Sequence, residues 1–136
     1  MFCAFDVLVI FVKKLSKMKI EAANKMIDDI LSIVEEKGID VAKLTPKLTE
    51  LREFALKEED PLVTKAIRLT NEYINEFKAY DVEVQYEEDE DGSEYPLEIT
   101  DVENLMYFLN LLKKSDHKIN REEIKEYRTA LKEKLY

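Results

Sequence analysis

The chain has 136 residues and a mass of 16.0 kDa, the size of one domain. With 30 acidic against 21 basic residues it carries a net charge of −9, which argues against direct binding to nucleic-acid phosphates. One cysteine excludes an intramolecular disulfide and any multi-cysteine metal site, and two glycines with three prolines argue against a glycine-rich-loop enzyme or a turn-dense sandwich.

Residues 2–12, FCAFDVLVIFV, are apolar apart from Asp6, and Lys13, Lys14 and Lys17 follow them. A secretory signal places its positive charge before the apolar run and small residues after it, and neither feature is present. Eleven residues are also too short for a bilayer, which needs roughly 20. Residues 1–17 are therefore read either as a packed helix or strand or as upstream sequence before a start at Met18. An anchoring or self-association segment is the third reading. The β-branched density of Val7–Val12 suits a strand and the Lys-Lys-Leu-Ser-Lys that follows suits a helix end, and periodicity does not arbitrate in a continuous apolar run.

Residues 18–136 read as a single helical domain. Ile20, Ala23, Ile27, Ile30 and Val34 recur at helical spacing, and Gly38 is placed to end that helix in the left-handed conformation. Thr45-Pro46 and Asp60-Pro61 each pair a side-chain cap with proline at the first helical position, so a helix is expected to start at each. A short helical turn is expected near 40–44. Val63, Ala66, Ile67, Tyr73, Ile74 and Phe77 form the core face of the helix over 61–79, a close neighbour of the one before it.

Val82, Val84 and Tyr86 then alternate with polar residues, as do Tyr95, Leu97 and Ile99, and Asp91-Gly92 lies between as a turn former. A β-hairpin is expected there, with Pro96 on an edge. Thr100 with Glu103 forms a capping box, and Val102, Leu105, Met106, Leu109 and Leu112 supply the stripe of the helix it opens. Asn120 with Glu123 repeats the pattern before a last helix, whose narrow stripe of Ile124, Tyr127, Leu131 and Leu135 places it on the outside. The expected fold is a mainly α bundle of four to five helices with one acidic β-hairpin inserted before the last two.

Phosphate-binding, dinucleotide-binding, zinc-protease and nucleophile-elbow motifs are missing from the sequence. His117, the one histidine, sits in a polar connection, and Cys3 has no arranged histidine partner. No catalytic residue, metal ligand or cofactor is assigned. Glu87–Glu98 places oxygen ligands at positions one, three, five and twelve of an EF-hand-like loop with Gly92 at six, but Glu87 at position one, Glu94 at eight and Pro96 inside depart from that pattern. Lys118–Glu123 resembles only the end of such a loop. Both are read as coincidence.

Charge distribution is the strongest functional signal. Between Ala79 and Leu112 there is no lysine or arginine, and 11 acids fall there; the remainder has 19 acids against 21 bases. Glu83, Glu87, Glu88, Asp89, Glu90, Asp91, Glu94 and Glu98 are the expected partner-binding residues. Fixed carboxylates in one segment suit a basic protein partner, steering its approach and setting its register. The expected function is a cytoplasmic, non-enzymatic inhibitor, immunity or regulatory domain. A structural homo-oligomer is the alternative, and a metal-binding or carboxylate-based enzyme comes third.

Overall fold

The structure, a computed structural model, describes the backbone of residues 4–84, 86–88, 90–96 and 99–136, and the side chains of 21–84, 90–94 and 99–136. Among the described residues five helices make the fold: α1 (Ala4–Lys37), α2 (Val41–Lys57), α3 (Pro61–Phe77), α4 (Asp101–Lys113) and α5 (Lys118–Leu135). α1 packs on α2 and α4, α2 on α3, and α5 on α3 and α4. The backbone from Ala4 is helical, the first of the two forms expected for a packed segment, and the packing expected of residues 2–12 lies outside the described side chains.

The helical stripes meet in one core. Ile27, Ile30 and Val34 of α1 face Leu44, Leu48 and Leu51 of α2 and the Leu105–Leu112 face of α4 within a single buried cluster. Each of these side chains contributes about 1.5–3 kcal/mol by leaving water. α1 stops where expected, with Gly38 at φ +70° and its N–H on the Val34 carbonyl at 2.8 Å. Phe77, expected in the core, is 46% exposed: α3 ends there, and Lys78 turns the chain away in the left-handed conformation at φ 54°.

Two expected starts are corrected. α2 begins at Val41, so Pro46 lies inside the helix and Thr45 is not its cap; the separate turn near 40–44 is the first turn of α2 itself. Extending the helix back over Leu44 buries that side chain completely. That gain, about 1.5–3 kcal/mol, matches the roughly 3 kcal/mol that an interior proline costs. The second is Asn120, which does not cap α5. The helix starts at Lys118, and the Asn120 amide donates instead to the Leu111 carbonyl at 3.3 Å.

The expected β-hairpin is also withdrawn, because the fold is an all-helical bundle. Val82–Val84, read as the start of a strand, is irregular chain. Among the described residues ladder pairing extends over three residue pairs, Tyr86–Glu88 against Glu94–Pro96, too short for a sheet that would form a layer of the fold. The alternation of Val82 and Val84 has another cause. Tyr80 and Val82 are buried against the bundle while Asp81 and Glu83 face water, so an irregular segment laid along a core shows the period of a half-buried strand.

That segment is held by α4 and α5. Asn104 of α4, 2% exposed, donates its amide to the carbonyls of Tyr80 at 3.1 Å and Val82 at 2.9 Å. Its own carbonyl accepts from the Tyr127 hydroxyl of α5 at 2.6 Å. Three of the four bonding positions of the side chain are thereby used in a dry site. The Tyr80 hydroxyl lies 3.1 Å from Thr70 Oγ1, and its ring stacks on Tyr127 with centroids 6.2 Å apart.

At the other end of the bundle, Asp60 joins α3 to α5. It caps α3, accepting from the Val63 N–H at 3.3 Å, and its carboxylate takes both terminal nitrogens of Arg121 at 3.0 and 3.2 Å. Asp60→Asn keeps a capping oxygen and loses the ion pair, whereas Asp60→Ala loses both. Urea unfolding should show Asp60→Ala to be destabilised by about 1.5–3 kcal/mol and Asp60→Asn by about 1 kcal/mol less. Equal losses would show that the cap contributes nothing.

Candidate functional site

The acids between 79 and 112 divide by what the fold does with them. Asp81, Asp101 and Glu103 have visible structural roles. Asp81 accepts a short hydrogen bond from the Tyr73 hydroxyl, which fixes the exit from α3. Asp101 and Glu103 sit in the first turn of α4, where negative charge is favoured. Thr100 caps that helix as expected, accepting from the Glu103 N–H at 3.1 Å, but the Glu103 carboxylate accepts from the threonine hydroxyl rather than from a backbone N–H.

The partner-binding residues expected from the sequence are only partly brought together. Glu90, Asp91 and Glu94 are exposed around the turn at Gly92, whose φ is +82°. The side chains of Glu87, Glu88, Asp89 and Glu98 lie outside the described residues. Glu83 is placed elsewhere, on the irregular segment that Asn104 seats against the bundle. There it lines a groove of about 390 Å³ with α5, beside Val84, Glu122, Glu126, Thr129 and Glu133.

This groove is the candidate functional site, and α5 supplies most of it. Glu122, Glu126, Thr129 and Glu133 recur at steps of four, three and four, which aligns them along one helical face. Four carboxylates face one lysine, Lys125, and its ammonium is engaged by Glu122 at 3.3 Å. Ala130 and Val84 give the groove an apolar floor. The α5 glutamates were not singled out from the sequence, since α5 as a whole has mixed charge. Their helical spacing was legible, but their partner across the groove, Glu83, is fixed only by tertiary structure.

The arrangement suits an extended cationic ligand. The carboxylates are spread along a helix rather than converged, and among the described residues no group of three or more acids, histidines or cysteines is placed to hold a metal ion. Among the described residues no helix is long and apolar enough to cross a membrane. His117 precedes α5 as an exposed N-cap residue without a side-chain cap bond.

Tyrosines beneath the segment carry the pH dependence. Burial, then the hydrogen bond to Asp81 and its charge, push the Tyr73 phenol well above its ordinary value of 10.0. Burial likewise raises Tyr80, against the opposing bond to Thr70. Raised acids of this kind bind their protons more tightly in the folded state. Their contribution is complete below pH 10 and declines as pH rises further, where the unfolded chain loses protons that the folded chain retains. Urea midpoints should therefore fall between pH 9 and pH 11 (about one unit either side of the ordinary tyrosine value), and Tyr73→Phe should fall less. An equally steep fall in that variant would remove Tyr73 from the explanation.

Compared with known proteins, the chain matches no family model, no curated protein and no solved structure.

Proposed function

We propose that the protein is a non-enzymatic binding module whose acidic groove receives an extended lysine- or arginine-bearing segment of a protein partner. One observation carries this reading: Glu83, isolated in sequence from the helices, is seated opposite Glu122, Glu126 and Glu133 along a single groove. A basic side chain entering there meets carboxylates from two separate elements while its stem lies on Ala130 and Val84. Long cationic side chains suit such a surface because their methylenes cover apolar area while the charge stays at the polar rim.

The exposed Glu90, Asp91 and Glu94 add long-range attraction, which speeds encounter more than it deepens binding. An inhibitor, immunity or regulatory role for such a module follows from occupying a basic surface on the partner. The reading does not need the N-terminal residues or a second copy of the chain.

A fluorescent peptide alternating lysine with alanine serves as the probe. Glu83→Gln, Glu126→Gln and Glu133→Gln combined should weaken it by about tenfold in low salt, mostly through slower association, and flatten the salt dependence. A control triple variant at Glu35, Glu36 and Glu50, exposed acids of α1 and α2, changes net charge equally and should weaken the peptide less than about twofold. Equal losses in the two variants would show a general charge effect and overturn the groove as the site.

A further inference from the structure

A second groove, of about 470 Å³, lies where α2 meets α3 and has the opposite character. Arg52 and Leu56, four residues apart, present one face of α2; Pro61, Lys65 and Arg68 present the facing surface of α3. In a chain of net charge −9, three cations here face only two acids, Glu59 and Asp60. Asp60 is already committed, since both its oxygens accept from Arg121. The groove is therefore a local positive site in an acidic molecule.

The arginines supply an independent observation. Arg52 Nε and Arg68 Nε are both out of contact with water and have no hydrogen-bond partner. Arg68 forms a long ion pair with Glu72, whose Oε1 stands 3.8 Å from Nε, beyond hydrogen-bond distance, and the other oxygen of Glu72 accepts from Tyr136 at 2.9 Å. A buried donor without an acceptor costs about 1–3 kcal/mol. Both arginines line the groove, and since neither Nε is open to water an anion there must be taken by the outer nitrogens of the two guanidinium groups. Guanidinium groups present paired donors that match the oxygens of a phosphate or carboxylate.

We infer that the α2–α3 groove binds a small organic anion, a phosphate- or carboxylate-bearing molecule with a short apolar body. Arg52 and Arg68 take its oxygens, Lys65 adds charge, and Leu56 and Pro61 hold the apolar part. Leu56 is 52% exposed, and a bound apolar body shields it from water. The volume falls within the range of small-molecule sites.

Phenyl phosphate, benzoate, inorganic phosphate and benzyl alcohol separate the contributions. In titrations of the full chain followed by ¹H–¹⁵N NMR, phenyl phosphate or benzoate should shift the Arg52 and Arg68 Nε–H resonances saturably. Binding should be about tenfold tighter than for inorganic phosphate, reflecting the apolar body. Benzyl alcohol should not saturate. Arg52→Gln should weaken binding by about tenfold, and the half-exposed Lys65→Gln by about two- to fivefold. The Lys65 variant keeps the test decisive if Arg52→Gln disturbs the fold. Unsaturable shifts with both organic anions, equal affinity for inorganic phosphate, or saturation by benzyl alcohol would overturn the inference. None of these outcomes bears on the acidic groove, which lies on α5.

Discussion

Asn104 is the residue on which the arrangement of this molecule turns. The chain leaving α3 must cross the end of the bundle without regular secondary structure, and its carbonyls at Tyr80 and Val82 are carried into a dry interior with the side chains beside them. A buried carbonyl without a donor is costly, and the backbone offers it none here. One amide group on α4 satisfies both, and the Tyr127 hydroxyl of α5 satisfies the amide's own oxygen in return. The connection is fixed as tightly as a strand would fix it, by one side chain rather than a ladder.

The functional proposal depends on that fixing. Glu83 follows Val82 directly, so the bond from Asn104 to the Val82 carbonyl determines where Glu83 stands relative to α5. The acids then separate into two kinds. Asp81, Asp101 and Glu103 offset their mutual repulsion with specific partners or a helix N-terminus. Glu83 and the α5 glutamates are spread along an open groove, where a cationic ligand would relieve the repulsion. The basic groove between α2 and α3 shows the same logic with the sign reversed, two arginine donors held without acceptors.

Much of the bundle was legible in the sequence because local chemistry determines it. Asp60-Pro61 and Thr100 cap helices because their side chains reach N–H groups three residues away, whatever the rest of the chain does. Pro46 was misleading because its local preference for a helix start is outweighed by the burial of Leu44 four residues after the Asp40 cap. Val82 and Val84 suggested a strand because alternation reports one buried side, not hydrogen bonding to a neighbour. Asn104 itself gave one faint signal, a polar residue directly beside Leu105 in an apolar helix. Its partners lie 22 to 24 residues away, and no local rule connects them. The acidic groove was half legible for the same reason: the run containing Glu83 stands out in sequence, whereas its pairing with α5 is a consequence of the clamp.

Asn104→Leu tests the clamp most directly. Leucine has asparagine's branching and heavy-atom count but is bulkier; its greater apolarity offsets a packing cost of about 1–3 kcal/mol, so packing alone would leave stability roughly unchanged. The two carbonyls cannot be removed by mutation, however, and they would remain buried without the Asn104 donors, while the Tyr127 hydroxyl would lose its bond to the Asn104 oxygen. The urea-unfolding free energy of Asn104→Leu should therefore fall by about 2–4 kcal/mol. A variant within about 0.5 kcal/mol of the original chain, the range of an ordinary surface substitution, would contradict the claim that this side chain holds the structure together.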